Sequence, residues 1–252
     1  ILCTNKTKPR INMKTTINFA PIQTMAQKRK GGKKALEQLL PIPMPNQELA
    51  KIGDDRFLST MTRCVFQAGF HWRVIANKWP DFEKAFHGFD PHKLAFLSPE
   101  DWDAYLKDKR VVRNGQKIRA LMDNTKFVLK TAQEHGSFAK FIADWPSSDL
   151  VGLWAFLKKN GSRLGGNTGQ YFLRFMGKDS FILSRDVVAI LQHYGLDISD
   201  VPSTKRELRL VQDIFNQWHE KTGLSYTSLS RIAAYSIGTN SNVKEITTEL
   251  KK

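Results

Sequence analysis

Residues 160–177 read NGSRLGGNTGQYFLRFMG, with glycines at 161, 165, 166, 169 and 177 around an aromatic run. Glycine is costly inside helices and suits places where backbone turns tightly or approaches another group closely. Before this stretch FLKK (156–159) closes an apolar helical pattern, and after it Tyr171, Phe172, Phe175 and Met176 fall at helical spacing. The pattern predicts a helix, a glycine turn and a second helix. Backbone N–H groups in such a turn, together with a helix N-terminus, can coordinate an oxyanion, a phosphate above all. A contact of that kind reads no base sequence. Glycine turns also serve purely as packing devices, and these residues alone leave both uses open.

The charge balance points the same way. The 252 residues carry 39 Lys and Arg against 24 Asp and Glu, a formal charge of +15. Nine of the basic residues lie in 1–36, which holds no acid, and the remaining 30 still outnumber the acids. A field of this sign favours nucleic acid, anionic lipid or acidic proteins. Nucleic acid comes first, because the chain stays basic without its leader. No apolar run reaches the roughly 20 residues that span a bilayer, so a membrane span is excluded. The two cysteines, Cys3 and Cys64, cannot build a disulfide framework, and a reducing cytoplasm is the simplest compartment.

The elements that must position the turn read as helices. Residues 55–66 align Phe57, Leu58, Met61, Val65 and Phe66, and residues 113–132 align Ile118, Leu121, Met122, Leu129 and Ala132. Shorter patterns cover 137–145 and 149–159. Thr204 with Glu207 forms a capping box ahead of Leu208, Val211, Phe215 and Trp218, and a last helix covers about 226–237. Only DSFILS (179–184) alternates like a strand. The fold class expected is all-α.

GSRLGGNTGQYFL resembles the helix-hairpin-helix of the DNA base-excision glycosylases. Leu164, Gly165, Thr168 and Gly169 stand where that motif has its apolar residue, second glycine and Thr–small pair, and Arg163 replaces its first glycine. A longer stretch is similar to the 3-methyladenine DNA glycosylase I family. It carries QAGFHW (67–72), AFHGFDP (85–91) and VVRNGQKI (111–118), with Asn124 beyond. The resemblance implies a two-lobed helical fold with the hairpin beside an active cleft. It further implies a monofunctional hydrolase that removes alkylated purines, 3-methyladenine first, from double-stranded DNA. A lesion-binding protein without catalysis is the alternative.

On this resemblance Trp72 stacks the extruded base, Gln67 bonds to a base edge, and Cys64, Phe66, Phe70 and Trp79 line the pocket. Phe66 and Phe70 also suit a core. Gly166 joins Arg163, Leu164, Gly165, Thr168 and Gly169 in holding phosphate, while Arg113, Asn114 and Lys117 meet phosphates at the cleft edge. The acids are missing. The superfamily's Asp position, seven residues after Gly177, is Ser184, and the family's Glu position, eight residues before Trp72, is Cys64. Asp186 is the candidate substitute; a helix-capping Asp186 and a reaction that needs no acid stay open. Nicking members carry a lysine before the motif threonine where this chain has Asn167, which implies hydrolysis without lyase activity.

No cofactor is implied. The family's zinc staple is not expected, since Cys3 has no terminal cysteine partner, and the six histidines show no ligand spacing. Residues 1–34 are expected as a disordered basic leader, with Met13 or Met25 as alternative starts and 1–24 a candidate untranslated stretch. Residues 35–240 form the helical domain with its hairpin at about 150–177, and 241–252 a flexible tail. A bacterial-type, nucleoid-associated cytoplasmic monomer completes the expectation.

Overall fold

The computed structural model describes residues 16–237, all of whose regular structure is helical. In chain order the helices are α1 (Phe19–Lys30), α2 (Lys33–Glu37), α3 (Asn46–Leu49), α4 (Asp54–Gln67), α5 (Trp72–Ala85), α6 (Pro91–Ala95) and α7 (Pro99–Ala104). They continue with α8 (Gly115–His135), α9 (Phe138–Asp144), α10 (Leu150–Asn160), α11 (Asn167–Phe175), α12 (Arg185–His193), α13 (Lys205–Thr222) and α14 (Tyr226–Ile237).

The periodic stretches fold as read. α4 buries Phe57, Leu58, Met61, Val65 and Phe66, and α13 starts from the Thr204–Glu207 capping box. In α8 the buried stripe is turned from the expected one: Ile118, Leu121, Thr125 and Val128 face inward, while Met122, Leu129 and Ala132 are half-buried. The strand-like segment 179–184 is extended but pairs with no strand. Its Ser180 N–H donates to the Thr227 hydroxyl and its Leu183 N–H to the Gln170 side chain. Side chains of α11 and α14 thus take the bonds that a neighbouring strand would supply.

The helices sort into two packing groups around one continuous core. α4, α5, α6, α8 and α9 form the first, and α1, α12, α13 and α14 the second. The pair α10–α11 joins them, because α11 packs on α4 while α10 packs on α13.

The disordered leader is corrected over 19–34. Phe19, Ile22 and Ala26 recur at helical spacing and bury α1 against α14. Asn18 accepts from Ala20 N–H at 3.1 Å, and the Trp218 indole donates to Ile17 O at 2.8 Å. The apolar stripe is narrow and sits among Gln, Lys and Arg, so composition masks it. The expected tail at 241–252 and the start of the leader lie outside the described residues. No helix among the described residues is long and apolar enough to cross a membrane.

Ile22 is fully buried. Ile22→Ala is expected to lower unfolding stability by ~2–4 kcal/mol in urea denaturation. An unchanged midpoint would mean that α1 is a dispensable appendage.

Candidate nucleic-acid interface

The turn between α10 and α11 is held from outside itself. Ser162 N–H donates to Asn124 Oδ1 at 2.7 Å, and Asn124 Nδ2 returns a bond to Ser162 O at 3.0 Å. Asn124 lies on the buried face of α8. Next comes Arg163 with φ of 61°, in the left-handed region. That conformation explains why the related motif has glycine there, since a side chain costs ~1–2 kcal/mol in it. The Arg163 guanidinium donates to the Gln116 side chain. Leu164 inserts into the core, and Gly166 starts α11 with φ of 57° and no side-chain cap. The first amides of α11, at Asn167 and Thr168, therefore point away from the helix without an intrahelical acceptor. Gly169 is required for packing: a Cβ there would lie 2.4 Å from Leu164 O.

The second component is the corner between α4 and α5. Phe66 is fully buried and meets Phe82 edge-on at 4.9 Å, so its expected place in the pocket is corrected to the core. Gln67 ends α4 half-buried, and Gly69 turns the chain with φ of 71°. Phe70 and Trp72 emerge 45% and 51% exposed, and Trp72 begins α5. A large aromatic left half in solvent at a helix start is available as a stacking face. Trp79 is not: its ring stacks on Phe82 and Phe89, and its indole donates to Glu83 and Ser59. The expectation that Trp79 lines the pocket is therefore corrected.

Lys117 joins the two components. Its Nζ donates to Phe66 O at 2.9 Å and Ala68 O at 2.7 Å, satisfying the carbonyl end of α4. The ammonium also lies 5.1 Å from the Phe70 ring centroid. Burial, and then the neighbouring Arg163, pull its pKa below the usual lysine value. The expected phosphate contact by Lys117 is corrected, because the side chain points inward and is 6% exposed. Asn114 is also occupied, capping α8 by accepting from Lys117 N–H at 3.1 Å. Arg113 is exposed.

The acid positions hold neutral groups. Cys64 is buried one turn before the end of α4, and desolvation pushes its thiol up to about 12. It stays protonated at neutral pH and supplies no charge. Ser184 caps α12, accepting from Val187 N–H at 3.3 Å. That assigns the cap to Ser184 and not to Asp186, which sits half-buried in the first turn. Among the described residues no three His, Cys, Asp or Glu converge on a metal-sized site. Cys3 lies outside them.

The structure thus brings Phe66, Phe70, Asn114, Lys117 and Arg163 together and leaves Asp186 on a separate helix. Sequence reading missed the roles of Asn124, Gln116 and Ser162. The signal available was an asparagine at a core position of an amphipathic helix, which needs a partner.

Residues 49–152, from the end of α3 to the start of α10, match the model of the methyladenine glycosylase family. The chain is 32% identical over 76 residues to DNA-3-methyladenine glycosylase 1 of Escherichia coli (strain K12). It is 33% identical over 76 residues to DNA-3-methyladenine glycosylase of Haemophilus influenzae. The matched stretch is 30% of this chain and 41% of each of these relatives, so it spans less than half of their length. Among solved structures, the 8-oxoguanine DNA glycosylase of Methanocaldococcus jannaschii aligns with TM-score 0.53 and 16% identity, over 86% of this chain and 93% of that one. At that identity the likeness is one of fold, and the fold is an all-helical one shared with a DNA glycosylase.

Gly169→Ala must displace Leu164 O and shift α11 against α10. It is expected to cost ~1–3 kcal/mol in thermal or urea unfolding. Wild-type stability in that variant would contradict the close approach of these two helices.

Proposed function

We propose that this protein is a monofunctional DNA glycosylase of base-excision repair. It hydrolyses the N-glycosidic bond of alkylated purines, with 3-methyladenine the first substrate, and acts on double-stranded DNA as a monomer. The observation that carries the reading is the single helix α8, which holds the Trp72 corner through Lys117 and the hairpin through Asn124.

The hairpin amides at Asn167 and Thr168 hold one backbone phosphate, with Arg163 and Arg113 adding charge nearby. An extruded base stacks on Trp72, and Gln67 faces its edge. The usual carboxylate is replaced by a neutral thiol at Cys64. The reaction then draws on the substrate itself. A purine alkylated at N3 carries positive charge and departs neutral, so its glycosidic bond breaks readily. Positioning of the sugar and of an attacking water supplies the remaining acceleration. Asn167 cannot form a Schiff base, so the phosphodiester stays intact. Asp186 is on α12, which carries neither the Trp72 corner nor the hairpin, and no step is assigned to it.

A second reading follows from Cys64 and Ser184 at the acid positions: a protein that binds alkylated DNA without cutting it. Methylated duplex DNA incubated with the protein, followed by chromatography of free bases, separates the two. Release of 3-methyladenine is expected. Trp72→Ala should slow it by roughly 5- to 150-fold, the range given by loss of ~1–3 kcal/mol of base stacking. Asp186→Ala run alongside reads whether that residue takes part. Lesion binding with no base release would establish the binder, and full activity in Trp72→Ala would remove the pocket assignment.

A further inference from the structure

A second group of cations converges on α14, from α1 and from α11. Tyr235 of α14 is its centre. Lys30 Nζ lies 4.8 Å from the Tyr235 ring centroid, the Arg231 guanidinium carbon lies 6.0 Å from it, and Arg29 Nε donates to Tyr235 O at 3.2 Å. Arg174 reaches the same place from α11, donating through Nη2 to Ser180 O at 2.5 Å and to the Ser230 hydroxyl at 2.8 Å. Neither Arg174 nor Arg231 is in an ion pair among the described residues. Burial, and then the nearby Arg231 charge, lower the Arg174 pKa to about 10.

Three donors here go unmet. Arg174 Nε, Arg231 Nε and the Tyr235 hydroxyl are all buried with no hydrogen-bond partner. An unmet buried donor costs ~1–3 kcal/mol, and more where it is charged. Like charges gathered around one ring add repulsion. A single ligand that answers both is an anion with several acceptor oxygens, for which a guanidinium is the best-matched partner. On the same helix as Arg174, Tyr171 and Phe175 are exposed with ring centroids 5.8 Å apart, a tilted aromatic pair.

We propose that Arg174, Arg231 and Tyr235 form an oxyanion site that takes a phosphate group, with Lys30 adding positive charge from α1. The site is separate from the hairpin amides and involves none of the residues that the family resemblance marks. Two sources fit: a phosphodiester of bound DNA, which rests on the glycosylase reading, or a free phosphate, which does not.

Inorganic phosphate is the probe, titrated into the full-length protein at constant ionic strength against chloride while the melting temperature is followed. A saturable rise is expected, roughly 5–10 °C at about 100 times Kd. Arg231→Gln should abolish the rise, Arg231→Lys should keep part of it, and Tyr235→Phe should weaken phosphate affinity several-fold. The melting temperatures without phosphate report whether each variant folds. Equal rises in wild type and Arg231→Gln, or an equal rise with chloride, would overturn the site. Salt titration of duplex binding then separates the sources. A slope lower by about one in Arg231→Gln assigns the phosphate to DNA; an unchanged slope with free-phosphate binding lost assigns it to a free anion. Phosphate binding in a protein that releases no base would keep this site and remove the glycosylase reading.

Discussion

One buried side chain sets the position of the hairpin. Asn124 exchanges two hydrogen bonds with the backbone of Ser162, and the rest of the turn follows from where that residue is fixed. Arg163 must take the left-handed conformation to bring Leu164 into the core, and Gly169 must then pass under Leu164 O. These constraints aim the first amides of α11 outward. Seven residues earlier on the same helix, Lys117 holds the end of α4 by two carbonyls. At 1.5 Å per residue the two anchor points stand about 10 Å apart along α8. A rigid helix therefore sets the spacing between the Trp72 corner and the hairpin turn.

This arrangement explains why α8 carries so many buried polar residues. Lys117, Asn124, Thr125 and Thr131 are all buried on it. The two threonines bond back to their own helix, to Leu121 O and Phe127 O. Lys117 and Asn124 bond outward to other elements. The inward lysine costs desolvation, which its lowered pKa reflects, and it offsets that cost by satisfying carbonyls that a helix end leaves open. The neutral thiol at Cys64 fits the same balance: a carboxylate there would sit buried in α4, and this chain has none.

Much of this was legible in the sequence. The longer amphipathic helices and the capping box at Thr204 follow from spacing, and the glycine turn announced itself by composition. Three features did not. The stripe of α1 is only Phe19, Ile22 and Ala26 among basic and polar residues, and burial against α14 supplies the stability that its own pattern lacks. Lys117 reads as one of a basic run, and only the fold shows its ammonium turned to Phe66 O. The segment 179–184 reads as a strand from its run of residues, but its backbone bonds go to side chains of α11 and α14. In each case the deciding partner lies far away in sequence, where local pattern carries no information.

On the proposed function, α8 presents the hairpin to DNA through Asn124. Asn124→Leu keeps the shape of the side chain and removes both bonds to Ser162. Its affinity for undamaged duplex, measured at fixed salt on protein shown to be folded by circular dichroism, tests the claim most directly. A fall of about tenfold, equivalent to ~1.4 kcal/mol, is the predicted result. Wild-type affinity in the folded variant would contradict the account.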